Sequence, residues 1–258
     1  MHTKHTILSE RELRLLESLI LHYGTIVTFD NIYNEMKESI SRQGCYDLIS
    51  KLCRNGWFIR IKRGVYAIAS LESHSFTNIS PLVIAQIFLP NSYVSFEYAL
   101  NHYGIFDQLP KAVNSVTPLK SKKYEFQGID YEFTKCKKEL FFGYKKVTIE
   151  GKLARIGELE KVILDYLYFR NDTYSVDLVL EKLKDAKSLI DFKKLIQFTQ
   201  RYSVTVKRRL GVLLDLIGVN STKLQREIKT RGGYSKLTKS SNIFNSKWRI
   251  YYESRFTQ

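Results

Sequence analysis

Residues 57–68 read Trp57-Phe58-Ile59-Arg60-Ile61-Lys62-Arg63-Gly64-Val65-Tyr66-Ala67-Ile68. Two short β runs flank Lys62-Arg63-Gly64. Gly64 supplies the positive φ that a tight hairpin needs, and the tip is cationic. Upstream, Asn55-Gly56 stops a helix that Ser41 caps and that runs to Arg54. Its apolar stripe is Cys45, Leu48, Ile49 and Leu52, at helical spacing. Arg42, Gln43, Tyr46 and Asp47 lie at or near the first turn and cannot join that stripe. Further upstream, Thr28-Phe29-Asp30 caps a helix through about Ser39, with Phe29, Ile32, Tyr33 and Met36 on one face. Ser9 and Glu12 fit a capping box that opens another, carrying Leu13, Leu16, Leu19, Ile20 and Tyr23 and ending at Gly24.

Three helices followed by a basic β-hairpin is the element order of a winged helix-turn-helix. In such a unit the second helix of the pair enters the major groove by its N-terminal end. Arg and Gln have the donor and acceptor geometry that matches guanine and adenine edges there. The expected groove residues are therefore Ser41, Arg42, Gln43, Tyr46 and Asp47. The expected wing residues are Arg60, Lys62 and Arg63, whose charges suit flanking phosphates. Helix-turn-helix units also serve as protein-interaction modules, and with a neutral wing Arg42 and Gln43 would read as an ordinary solvated first turn. The wing is not neutral.

Charge supports a polyanionic partner. The 258 residues hold 41 Lys plus Arg against 26 Asp plus Glu, a formal +15, with a pI near 9.6. The stretch Ser41–Arg63 has 6 basic residues and one acid, Asp47; residues 222–258 have 9 basic and 2 acidic. With 44% hydrophobic residues, 4 Pro and 13 Gly, the composition excludes a disordered or low-complexity chain. Cys45, Cys53 and Cys136 cannot all pair within the chain and none sits in a C-x-x-C, so neither a disulfide framework nor a zinc knuckle is expected. No apolar run approaches the ~20 residues of a membrane span, and the N-terminus lacks a signal peptide's apolar stretch. A cytoplasmic protein is expected.

Residues 1–72 thus read as the DNA-binding domain and 73–258 as a larger mixed α/β domain, giving an α+β chain, with Leu71–Asn78 as a polar linker. Pro81–Phe88 and Ser92–Tyr103 are apolar-periodic and read as helices. His102, near the end of the second, reads as a packing or carbonyl-contacting residue. Residues 112–150 turn β-rich, with Gln127-Gly128 as a hairpin turn and alternating aromatics at Tyr124, Phe126, Tyr131 and Phe133 that cross-strand packing explains. Helices return over 157–170, with Leu159, Val162, Ile163, Tyr166 and Leu167 on one face, and over 203–217. Lys207, Arg208 and Arg209 stand at the start of the latter, where positive charge opposes the helix dipole; they read as a secondary anion contact. The basic tail 222–258 ends in Asn245–Tyr252, which alternates like a strand and is expected to rejoin the domain.

In order along the chain, GWFIRIKRGVYAIA, SYVSFEYALNHYGI, the β segment with VNSVTP, ELFFGY and RIGELEKVILDYLYFR resemble the AbiEi-type abortive-infection antitoxins, over residues 9–218; the ending NSKWRIYY is also similar. The resemblance implies a winged helix-turn-helix ahead of an antitoxin domain, and repression of the protein's own operon at inverted repeats. It also implies an AbiEii-type nucleotidyltransferase toxin as functional partner, opposed without a tight stable complex. One departure is Leu159 before Glu160-Lys161, where the family typically has Pro; Pro is tolerated at a helix start rather than demanded.

Two other classes compete. A metal-dependent nuclease could use Asp130 with Glu150-Gly151-Lys152, although Gly151-Lys152 reads as a hairpin turn. A plain winged-helix regulator could sense a ligand or partner through its C-terminal domain. No P-loop, nucleophile elbow, H-E-x-x-H or Cys/His ligand set is present, and His2 and His5 make a poor metal site. The expectation is a non-enzymatic DNA-binding antitoxin with no catalytic residues, metal or cofactor.

Overall fold

The computed structural model describes residues 7–69, 79–149, 151–228 and 232–256. His2, His5, the segment expected as a linker and Glu150 lie outside them. The chain is a mixture of helices and several sheets, and it divides into two units, residues 1–84 and 85–258.

In the first unit, α1 (Glu10–Tyr23) leads to β1 (Ile26–Thr28), α2 (Phe29–Met36), α3 (Arg42–Arg54), β2 (Phe58–Lys62) and β3 (Val65–Ile68). Each helix starts where a side chain takes up free backbone donors. Ser9 and Glu12 close a capping box, Thr28 and Asn31 close another, and Ser41 Oγ accepts from Gly44 N at 3.1 Å. Glu12 is buried and also meets Lys51 Nζ at 2.8 Å, so the cap of α1 grips α3. The strands form an antiparallel sheet in the order β1-β3-β2. Gly64 has φ 74 at the hairpin tip. The core gathers Leu16, Leu19, Ile32, Cys45, Leu52 and Phe58, one or more from each helix and from the hairpin.

α4 (Pro81–Phe88) carries the division between the units. The second unit continues with β4 (Tyr93–Val94), α5 (Phe96–His102), β5 (Ala112–Thr117), β6 (Lys122–Phe126), β7 (Ile129–Lys135), β8 (Tyr144–Ile149) and β9 (Lys152–Gly157). These strands form one mixed sheet in the order β6-β7-β5-β4-β9-β8. The β6–β7 and β8–β9 hairpins flank an antiparallel β5–β4 pair, and each central strand runs parallel to its neighbouring hairpin. Residues 92–103 are therefore not one helix. Tyr93-Val94 is a strand deep in the sheet, buried on both faces, and such a run has no alternation to distinguish it from a helix.

Then come α6 (Leu159–Phe169), α7 (Thr173–Asp185), α8 (Phe192–Thr199), α9 (Val204–Leu216) and α10 (Thr222–Ile228). A small sheet ends the fold: β10 (Ser235–Lys236), β11 (Ile243–Asn245) and β12 (Ile250–Tyr252), in the order β10-β12-β11. The expected strand 245–252 is broken in two, because Trp248 turns inward to full burial and Arg249 takes φ 51.

α6 is buried on every side from Leu159 to Leu167. A helix this enclosed must answer the charges it carries. Lys161 and Asp165, one turn apart, form an ion pair with 1% and 0% side-chain exposure. Asp165 also accepts from Ser95 Oγ at 2.8 Å, Tyr93 OH at 3.0 Å and Tyr202 OH at 3.3 Å. Lys161 Nζ donates to Tyr202 OH at 2.7 Å and lies 5.2–5.4 Å from the ring centres of Tyr93, Phe142 and Tyr202. Tyr93, Ser95 and Tyr202 are all far from α6 in sequence, so the pair ties β4, α6 and the α8–α9 turn together.

The Trp248 ring lies flat on α9 where Gly211 leaves room for it. A Cβ at Gly211 would stand 2.2 Å from Trp248 Cζ3. The indole Nε1 donates to Asp215 Oδ2 at 2.6 Å, and Lys247 Nζ and Ser221 Oγ reach the same carboxylate. Burial pushes the Asp215 carboxyl up, but these three hydrogen bonds outweigh it and hold it below its ordinary value.

Three outcomes follow for the intact chain in urea unfolding. Gly211→Ala is expected to cost about 1–3 kcal/mol by overpacking against Trp248; an unchanged midpoint would refute the contact. Lys161→Met leaves a buried carboxylate unpaired and is expected to cost about 3–5 kcal/mol. Adding Asp165→Asn, which still accepts from Tyr93 and Ser95, recovers a large part of that loss. Because Asp215 is depressed on folding, its contribution is complete above the unfolded carboxyl value of about 4 and fades as pH falls through the folded one. Asp215→Asn is thus less stable than the parent at neutral pH, and the gap closes in acid.

Candidate nucleic-acid interface

The first turn of α3 and the β2–β3 hairpin frame one open cleft of about 630 Å³. Arg42 and Tyr46 line it from the helix, Arg60, Arg63 and Gly64 from the hairpin, and Phe29 and Tyr66 form its floor. The hairpin is held at this position by Phe29 N–H, which donates to Gly64 O at 2.9 Å. The residue that opens α2 thereby fixes the tip opposite α3.

Aromatic packing sets the orientation of the charged groups. Tyr46 stacks on Phe29 with ring centres 4.2 Å apart and remains 45% exposed. The Arg42 guanidinium sits over Phe29 at 4.8 Å and over Tyr33 at 5.7 Å. Asp30 is 3.8 Å from Arg42 Nη2, with both side chains more than half exposed. An exposed, loose pair of this kind contributes little and yields readily to a stronger anion. Among the described residues, no carboxylate lies within ion-pair distance of Arg60 or Arg63. Three guanidinium groups therefore converge on one concave surface with one weakly held acid beside them.

The other expected groove and wing residues are placed differently. Gln43 and Asp47 are exposed on α3, where Gln43 Nε2 donates to Asp47 Oδ1 at 3.2 Å, and neither lines the cleft. Ser41 is spent on capping α3. Lys62 is half-buried in β2 beside a register shift between Arg60 and Lys62, and is not part of the cleft lining. Phe29, Tyr33 and Tyr66 join the site, although periodicity assigns the first two only to an apolar helix face. Phe29 is indeed 7% exposed, yet its ring carries both Tyr46 and Arg42.

The secondary anion contact at Lys207, Arg208 and Arg209 is corrected by the structure. Arg208 and Arg209 are 3% and 8% exposed. Arg208 donates to Gly232 O at 2.9 Å and Ser235 Oγ at 3.3 Å, while Arg209 donates to Leu167 O at 2.8 Å, Lys236 O at 3.0 Å and Arg170 O at 3.3 Å. Burial lowers the pKa of both. Lys207 pairs with Glu227 at 3.1 Å. The cluster is internal: Arg209 caps the C-terminal carbonyls of α6, where a cation is favourable, and Arg208 braces the chain entering β10.

The carboxylate–lysine arrangement for a nuclease is not assembled either. Asp130 is on β7 and Lys152 opens β9, with β5 and β4 between them. Three strand spacings separate the two strands by roughly 14 Å, and the register displaces Asp130 and Lys152 toward opposite ends of the sheet, about 20 Å further along the strand direction. His102 ends α5 with its ring 5.5 Å from Tyr103, and partial burial, then Lys145, lowers its pKa. No group of three or more His, Cys, Asp or Glu capable of holding a metal occurs among the described residues, nor is any described helix long and apolar enough to cross a membrane.

No protein-family model matches the chain, and no curated protein matches it. Among solved structures, the RV2827C protein from Mycobacterium tuberculosis has a similar fold. Its TM-score is 0.67 at 13% identity, over 96% of this chain and 92% of that one.

Proposed function

We propose that residues 7–69 form a winged helix-turn-helix that binds duplex DNA, with α3 in the major groove and the β2–β3 hairpin as the wing. The observation that carries this reading is the convergence of Arg42, Arg60 and Arg63 on one cleft between helix and hairpin. In this arrangement Arg42, steered by the Phe29 and Tyr33 rings, faces base edges with Gln43 and Tyr46, and Arg60 and Arg63 hold phosphate. Asp30 releases Arg42 when a base or phosphate replaces it.

The wider proposal is a cytoplasmic, non-enzymatic antitoxin of a type IV toxin–antitoxin pair. It represses its own operon at inverted repeats and opposes an AbiEii-like nucleotidyltransferase toxin. Its support is the order of segments that resembles the AbiEi antitoxins.

Gel-shift titration of the protein on its own upstream promoter and on a scrambled duplex, across a salt series, tests the DNA reading. Promoter preference that survives physiological salt is expected. Arg42→Ala is expected to lose about 1–3 kcal/mol on the promoter and less on the scrambled duplex, whereas Arg63→Ala weakens both alike and lowers the salt slope by about 1. Equal losses on both duplexes for Arg42→Ala would sink its base-reading role. The antitoxin half predicts that co-expression rescues growth from the product of an adjoining nucleotidyltransferase-like gene.

A further inference from the structure

The small C-terminal sheet has a buried face and an open one. Ser235 and Ile250 turn inward, and Trp248 locks onto α9. On the opposite face the strand register sets Lys236 beside Tyr251 and Tyr251 beside Phe244, a continuous row across β10, β12 and β11. Tyr234, two residues before Lys236 and so on the same face, packs against Tyr251 with ring centres 5.3 Å apart at 82°; Phe244 approaches Tyr251 at 5.1 Å and 53°. Tyr234 is 67% exposed and Phe244 47%. Large rings are rarely left open in this way without a partner to cover them.

Their surroundings specify the partner's charge. Residues 222–258 carry 9 basic and 2 acidic side chains, and both acids are already engaged: Glu227 by Lys207, and Glu253 by Thr238 and Arg255. Lys236 and Lys239 are exposed with no carboxylate at ion-pair distance among the described residues, and Arg249 is exposed, its Nε donating to Gly233 O at 2.9 Å.

We propose that this face binds single-stranded nucleic acid, with successive bases stacking on Tyr234, Tyr251 and Phe244 and the backbone running along Lys236, Lys239 and Arg249. Aromatic rings on a basic sheet recognise the π-faces of bases, which a duplex hides and a single strand offers. Three rings suit a short run of about two or three bases. This site is separate from the helix–hairpin cleft and belongs to the other unit of the chain.

The test uses the full-length protein and fluorescein-labelled oligonucleotides of about 12 nucleotides, as RNA and as DNA of the same sequence, followed by anisotropy. Tyr234→Leu/Phe244→Leu keeps the face apolar but removes the rings. It is expected to weaken single-strand binding on the order of tenfold or more while leaving promoter-duplex binding unchanged; Arg42→Ala is expected to do the reverse. The RNA and DNA arms tell which strand chemistry is preferred. Absent single-strand binding, binding indifferent to the double variant, or binding that falls instead with Arg42→Ala would each overturn the proposal. Should the double variant lower the melting temperature, Tyr234→Leu alone, at the most exposed ring, is expected to weaken single-strand binding in the same direction, and its failure to do so overturns the proposal equally.

Discussion

A helix enclosed on every side cannot leave a charge unanswered, and α6 carries three: Glu160 accepts from Asp191 N–H at 2.9 Å and lies 3.5 Å from Lys194 Nζ, while Lys161 and Asp165 answer each other. The second unit is organised around that constraint. The Lys161–Asp165 pair has no water to fall back on, so β4 must present Tyr93 and Ser95, and the turn after α8 must present Tyr202, at set distances. An apolar helix could slide or rotate within a greasy core at small cost. One whose carboxylate needs three hydroxyls and an ammonium has one acceptable seat. The same logic recurs at the C-terminal end of α6, where Arg209 takes up the carbonyls of Leu167 and Arg170 and joins them to β10 through Lys236 O.

The first unit reaches its precision by different means. Its core is ordinary aliphatic packing, and its polar accuracy lies in the helix starts. Thr28 caps α2, and the next residue, Phe29, donates its backbone N–H to the hairpin tip while its ring supports Tyr46 and Arg42. One position thus sets the separation of helix and hairpin and the aim of the longest cation between them. Packing over the Phe29 and Tyr33 rings restricts the rotamers of Arg42.

The elements of the first unit are largely legible in the sequence, since the caps at Ser9, Thr28 and Ser41 and the Gly64 turn are local signals that tertiary structure has no reason to override. The β6–β7 turn at Gln127-Gly128 is equally local, both residues adopting positive φ. Local signals fall short where contacts of long sequence separation decide. Tyr93-Val94 is a strand because two distant strands flank it, and Arg208 and Arg209 are buried because residues 232–236 fold back over them. α7 and α8 go unread although Asp172 and Asp191 cap them and Val176, Val179 and Leu183 on the first, and Phe192, Leu195 and Ile196 on the second, recur at helical spacing. Lys161 and Asp165 have the spacing of any solvated turn-to-turn pair, and nothing local marks them as interior. Of the cleft, the arginines are visible by charge, but Phe29 is hidden by doing core duty at the same time.

The order of strands in the small sheet has a consequence for synthesis. β12 is its middle strand, so β10 and β11 have no strand to pair with until β12 exists. Residue 250 leaves the ribosome some 180 residues after the first unit's last core residue, Ala69. At about 5–20 residues per second that is a delay of roughly 10–40 s. All the core contacts of the first unit are available on the nascent chain throughout that interval, while α9 still shows the bare notch at Gly211 that Trp248 will fill. The two halves of the molecule are thus completed at different times, and a chain arrested in translation would carry its helix–hairpin cleft without its aromatic row.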